Sequence, residues 1–402
     1  MKNLIAPLFW KRFIFGIFAL SFAVILWFTT LSLFFKENIY HYYSEGNISP
    51  KARLILNRHL EVWKTPYLKE REIANEHASN PEWDFMWRTF FVLSMANIAL
   101  QEPQMQKDLL PVMDQVIENT ISLIENKGLY YFLMEYAKQN DFVSQPPRSL
   151  FYDGEIALMV GVRRLVQEND EYRLLHKKYV DTIIERMSKG PILCAESYPD
   201  ECWIFCNTVS LVAVKISDIL DGGDHSELIE QWMRMARQKL IHSKTGLLVS
   251  AFTLSGNPIH GPEGSTIWMA AHCLSFVDEV FARDQYSRAK QELIGNFFGF
   301  GYSSEWPRSW RGTPDCDAGG LLAIAHASPS ATGFALLAAH TFNDKKLFSQ
   351  IITSLNLAGL PLKNKKTLKF AASNLVGDAV ILYSLVEGPV RERIRELVKH
   401  AK

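Results

Sequence analysis

The sequence predicts an all-α protein: an (α/α)6 toroid of six helical hairpins, preceded by a single transmembrane helix. Three observations predict it. Apolar residues recur at helical spacing through most of the chain. Six segments rich in small residues begin 45 to 68 residues apart, each followed by a more charged helical pattern. One N-terminal stretch, Phe13 to Phe35, has 23 positions and no charge.

That stretch comes first in the chain. At about 1.5 Å per residue it crosses a hydrocarbon layer of roughly 30 Å. A cleaved signal peptide has a shorter apolar region ending in a small-x-small site, and no such site follows here. Residues 1–12 are then a short N-terminal segment, 13–35 the anchor, 36–80 a linker with a leading helix, and 81–402 the toroid. Lys2, Lys11 and Arg12 precede the span, which favours a cytoplasmic N-terminus and an extracytoplasmic domain.

The rest of the chain reads as hairpins. The first helices of the six pairs open at Asp84 (DFMWRTFFVLSMANIAL), Tyr152 (YDGEIALMVGVRRLV), Phe205 (FCNTVSLVAVKISDIL), Gly264 (GSTIWMAAHCLSFVDEV), Ser328 (SPSATGFALLAAHTF) and Ser373 (SNLVGDAVILYSL). Small residues let helices pack closely, as an inner ring requires, while amphipathic partners such as HSELIEQWMRMARQKL suit an outer ring. The C-terminal VRERIRELVKHAK reads as the last outer helix. An open solenoid is the competing architecture, but its repeats are more uniform than these.

Composition narrows the function. The chain has 402 residues, 48% hydrophobic, with 43 Lys+Arg against 43 Asp+Glu. Zero net charge and no basic stripe argue against nucleic-acid binding. Five cysteines without a CxxC pair, and histidines scattered singly, give no metal site. GxxxxGK[ST], HExxH and GxSxG are absent as usable motifs, so no cofactor is expected.

In a toroid the starts of the inner helices converge on one mouth. Acids and aromatics gather there: Asn80-Pro-Glu-Trp-Asp84, Phe151-Tyr-Asp-Gly-Glu155, Ser197-Tyr-Pro-Asp-Glu-Cys-Trp203, Glu305 to Gly312, and Asp315-Cys-Asp317. An acid at a helix start also caps free N–H groups, so each one has a structural role open to it. Together they fit an apolar pocket with a few placed carboxylates.

NPEWDFMWRT, FYDGEIALMVG and SYPDECWIFCN, in that order, resemble the linalool dehydratase/isomerase-like domain family. The resemblance covers roughly Pro81 to Tyr383 and implies an (α/α)6 barrel. It implies a site that handles a monoterpene alcohol with an aspartate, a histidine, two cysteines and several aromatics. Carried over, Asp84 stands for the aspartate and Phe151 for a pocket methionine. Glu155 replaces the histidine, Ser197 replaces the first cysteine, Cys206 matches the second, and Trp268 matches a pocket tryptophan.

The expected chemistry is acid/base dehydration or isomerisation of a small hydrophobic alcohol. A carboxyl group in an apolar pocket has its pKa raised and serves as the acid. Glu155 is the candidate acid, with Asp84, Asp153 or Cys206 as base or orienting partner. Phe151, Tyr152, Ser197, Tyr198, Glu201, Trp203, Trp268 and Asp317 would line the substrate site. Two other readings stay open. A glycan-active hydrolase or lyase would use two carboxylates from the set Asp84, Asp153, Glu201, Asp315 and Asp317, with Trp306 and Trp310 stacking on sugars. A non-catalytic, membrane-tethered binding module would keep the ring and lose the chemistry. The expected partners are a small hydrophobic substrate and, through the N-terminal helix, the membrane. A homo-oligomer is compatible with the residues.

Overall fold

A computed structural model describes residues 2–43, 46–312 and 326–400 of the chain. Asp315, Cys316 and Asp317 lie outside the described residues.

The six small-residue segments are helices. They are α4 (Pro81–Gln101), α6 (Leu150–Val166), α8 (Ile204–Asp221), α10 (Gly264–Leu274), α12 (Pro329–Thr341) and α14 (Leu375–Val386). Each packs against the next, and α14 packs back on α4, so the ring is closed. The outer layer holds α5 (Gln106–Lys127), α7 (Asp170–Lys189), α9 (Ser226–Lys239), α11 (Glu279–Leu293) and α13 (Lys345–Ala358). The expected (α/α)6 toroid is the fold.

Two elements differ from the expected assignment. The sixth outer position, against α14, belongs to α2 (Pro50–Lys64) from the segment read as a linker; α3 (Pro66–Ser79) then leads from α2 into α4. The C-terminal α15 (Pro389–His400) is not an outer helix. It lies against α4, α6 and α8 and covers the end of the ring opposite the mouth. The Val390 N–H donates to Asn97 Oδ1 at 3.1 Å, and the Arg391 guanidinium donates to Ser275 Oγ. An amphipathic pattern suits either place, because both offer one apolar face and one wet face.

The helix starts explain why the ring is well determined. Asn80 caps α4 by accepting from the Glu82 and Trp83 N–H groups, with Pro81 at the first position. α6, α8 and α10 have no capping side chain of their own. Each instead gives its first N–H to the loop ahead of the next inner helix. Leu150 donates to Glu196 O at 2.7 Å, Ile204 to Ser250 O at 2.9 Å, and Gly264 to Glu305 O at 2.6 Å. At the closure, the Leu375 and Val376 N–H groups donate to the Glu76 carboxylate on α3, both at 3.2 Å. Buried N–H groups must be satisfied, so these bonds fix each helix relative to its neighbour.

The N-terminal helix α1 (Lys2–Phe35) stands apart from the ring. Phe9–Phe35 is long and apolar enough to cross a membrane, and none of its most apolar stretch is buried. Only its last turns touch the domain: Phe28 meets Phe297 and Phe298 at 4.8 and 5.9 Å, and Phe35 O accepts from Asn356 Nδ2 at 3.0 Å. Asn356 lies near the C-terminal end of α13, and outer helices end on the mouth side. The helix therefore joins the ring at its mouth.

Candidate active site

Glu155 occupies the middle of the ring. It sits on α6 and is 1% exposed. Its charge reaches the Cys206 thiol on α8 and the Cys273 thiol on α10, while the Thr89 hydroxyl on α4 acts on it in turn. Neither carboxylate oxygen completes a hydrogen bond with the described residues. Burial raises its pKa from 4.5 to about 8, and Thr89 pulls it only partly back. At neutral pH the group is mostly the carboxylic acid, a proton donor held in an apolar ring.

Cys206 lies beside it. Burial raises the thiol pKa, the Ser197 hydroxyl draws it down, and Glu155 and Glu82 push it further up. It is a thiol at neutral pH rather than a thiolate nucleophile. The structure thus brings together Glu155, Cys206 and Ser197, three positions that the resemblance singled out. It adds Glu82, which the sequence places in the mouth cluster before α4 without a role of its own. Glu82 accepts a hydrogen bond from the Tyr198 hydroxyl. A signal was available: Glu82, Phe85 and Thr89 share one helical face at spacings of three and four.

The other mouth residues form its wall. Phe85 meets Phe151 at 4.8 Å and Tyr152 at 5.2 Å. The Tyr152 hydroxyl accepts from the Phe132 N–H at 2.9 Å, and the Tyr198 hydroxyl accepts from the Met134 N–H at 3.0 Å. Glu201 Oε2 accepts from Trp203 Nε1 at 3.2 Å and from the Tyr136 hydroxyl at 3.4 Å. Trp203 stacks on His260 at 5.6 Å.

Three expected site residues are engaged elsewhere. Asp84 is fully buried and pairs with Arg88 at 2.8 Å and His77 at 3.2 Å, toward α3 and α5. Asp153 binds Arg148 through both oxygens at 2.7 Å, toward α7. Burial raises the Asp153 pKa, and Arg148 draws it down. Trp268 points outward, with Nε1 donating to Ser303 Oγ at 2.8 Å and its ring edge-on to Tyr286 of α11 at 5.7 Å. Phase explains these placements: on α6, Asp153 lies about 200° around the helix from Glu155. The acid-rich loop before α12 divides its work. Glu305 accepts from the Ser265 N–H at 2.9 Å and from the Ser265 and Ser328 hydroxyls, binding α10 to α12. Trp306 and Trp310 are half-buried and stack on each other at 4.3 Å. Arg308 and Arg311 donate to backbone carbonyls. Asp317 lies outside the described residues.

The ring is filled rather than hollow. Phe90 of α4, Phe205 of α8 and Phe334 of α12 meet across the axis, with Phe334 5.5 and 5.9 Å from the other two. Deeper, Leu158, Val162, His272, Cys273 and Tyr383 help to line a cavity of 10 Å³, enough for about one water molecule. His272 bonds there to Thr341 Oγ1 at 2.7 Å and to the Tyr383 hydroxyl at 2.8 Å. Phe151 and Phe205 are themselves buried beside Glu155, at 5% and 8% exposure.

The fold defines the class: an (α/α)6 toroid, with Glu155 buried among its inner helices. The profile of the linalool dehydratase/isomerase family matches residues 151–363, more than half of the chain. The protein belongs to that family. Among solved structures it is similar to an unsaturated glucuronyl hydrolase from Streptococcus agalactiae, at 10% identity and TM-score 0.49, covering 87% of this chain and 96% of that one. It is similar to the unsaturated glucuronyl hydrolase of Bacillus sp. GL1, at 10% identity, TM-score 0.48, and 74% and 85% coverage. It also resembles a GH76 α-mannanase from Bacteroides thetaiotaomicron, at 10% identity, TM-score 0.48, and 77% and 87% coverage.

Proposed function

We propose that the protein is a membrane-anchored enzyme that dehydrates or isomerises a small hydrophobic alcohol inside the ring, with Glu155 as the acid. One observation carries the reading: a buried glutamic acid with a pKa near 8, whose oxygens complete no close hydrogen bond among the described residues, sits among Cys206, Cys273 and aromatic rings. Glu155 gives its proton to the hydroxyl oxygen, the C–O bond breaks, and water leaves. Glu82, the second carboxyl group beside Cys206, takes the proton lost from the neighbouring carbon, leaving an alkene. Isomerisation returns water to a different carbon. Such a site works best dry, because low dielectric keeps Glu155 protonated and shields the cationic transition state from solvent.

Cys206 and Ser197 orient the hydroxyl, and Tyr198 holds Glu82 at the mouth. The attachment of α1 at the mouth supports a substrate that arrives from the bilayer. α1 spans the membrane once, with the domain on the extracytoplasmic side; a reporter fused to the C-terminus tests that orientation.

The test is turnover of short tertiary and allylic alcohols by the full-length protein in vesicles, with the alkene followed by gas chromatography. Glu155→Gln should abolish product while the fold survives. Product formation unchanged by that substitution would remove Glu155 as the acid. Absence of any alkene, together with calorimetric binding of oligosaccharides, would favour the glycan reading instead.

A further inference from the structure

The hairpin Ile294–Phe297 and Phe300–Ser303 projects from the mouth rim beside α1, and its tip has no role in the ring. Phe297 and Phe298 at that tip are 46% and 37% exposed. Phe298 has φ +49° and Gly299 has φ +96°, the left-handed pair that a two-residue hairpin turn requires. Asn or Gly suits the first of these positions; a bulky aromatic ring is disfavoured there. An exposed phenylalanine in a disfavoured backbone conformation contributes nothing to the core.

The position of the tip along α1 supplies the reason. Trp10 and Trp27 lie 17 residues apart on α1, about 25 Å, close to the thickness of a hydrocarbon layer. Tryptophans at that spacing mark the two headgroup levels of a span. Phe28, next to Trp27, is the residue that touches both Phe297 and Phe298. One turn further along, Ser32 abuts Gly299 so closely that a Cβ there would sit 2.4 Å from Ser32 Oγ. The hairpin tip is therefore fixed at the depth of Trp27.

We infer that Phe297 and Phe298 form a second membrane contact, inserted at the headgroup level of the same leaflet and continuous with the span. It rests on the reading of α1 as a membrane span. The partner is the lipid bilayer itself, entered by two aromatic rings whose burial adds to that of the helix. Together, span and hairpin hold the mouth of the ring against the membrane at a fixed tilt.

The test uses the full chain in phosphatidylcholine vesicles, with a nitrobenzoxadiazole label on a single introduced cysteine in a Cys316→Ser background. The other four cysteines are buried. Labels at Phe298→Cys, Phe18→Cys in the span and Val280→Cys on α11 are compared in vesicles without a quencher, with shallow doxyl-phosphatidylcholine, which reads 298, and with deep doxyl-phosphatidylcholine, which reads 18. The expected result is about twofold or greater quenching at 298 and none at 280. Phe297→Cys repeats the measurement should the 298 variant fold poorly. Quenching at 18 but not at 298 or 297 overturns the hairpin contact and leaves the anchor standing. No quenching at 18 overturns the anchor, and this proposal with it.

Discussion

Glu155→Gln should make the protein more stable in alkali, and the size follows from the burial of the acid. Its pKa rises from 4.5 in the unfolded chain to about 8 in the ring. Between those values the folded state holds a proton that the unfolded state has lost, so stability falls as pH rises. The contribution is fully present below pH 4.5 and gone above pH 8. Each pH unit in that window is about 1.4 kcal/mol, and the whole window is about 5 kcal/mol. Glutamine keeps the shape and removes the titration. Asp153 and Asp378 also carry raised pKa values, Asp378 to about 7, but they act equally in both proteins and cancel in the difference. Urea titrations of the full-length protein in detergent micelles, at pH 5 and pH 9, measure the effect. The two proteins should be within about 1 kcal/mol of each other at pH 5, and the variant should lead by several kcal/mol at pH 9. Parallel pH profiles for the two would show that Glu155 is ionised or solvated in the ring, and the acid role would fall with it.

Three further outcomes are expected. Arg88→Ala should cost about 3–5 kcal/mol, because Asp84 is fully buried and would be left without its principal partner; thermal melts check this, and a cost under about 1 kcal/mol would count against the buried pair. Gly154→Ala should cost about 1–3 kcal/mol, since its Cβ would sit 2.4 Å from Ser210 Oγ, and Ser210→Ala should recover most of that loss in the double mutant. Cys194, Cys202, Cys206 and Cys273 should resist a thiol reagent at pH 8 until urea unfolds the domain, because each is buried with its pKa raised; fast labelling of any of them in the native state would contradict that burial.

The inner ring was legible in the sequence because close helix packing demands Ala, Gly and Ser at helical spacing, and the six segments carry that mark. The sixth outer helix was not. α2 and α15 are both amphipathic, and nothing local distinguishes a helix that lines the wall from one that covers the end. For the site, Glu155 was legible as the one acid set among apolar residues on α6. Asp84 and Asp153 were harder to place, since an acid near a helix start reads alike whether it faces the axis or an arginine. Arg88, one turn after Asp84, and Arg148, five residues before Asp153, were the available signs. Glu82 stands in the same mouth cluster, but the resemblance points to Asp84 two positions later and gives Glu82 no role.

The closure of the ring also sets an order of events during synthesis. α4 needs α14 as its neighbour, and α14 needs Glu76 for its first N–H groups. The ribosome delivers those partners roughly 290 residues apart, on the order of 15–60 s at ordinary elongation rates. Throughout that interval α1 is already made, while the apolar flank of α4 has no final partner. The chain must wait, unfinished, until its last hairpin arrives. A premature stop before Leu375 would therefore leave an open arc with exposed apolar edges rather than a smaller folded domain, and quality-control proteases would meet it in that state.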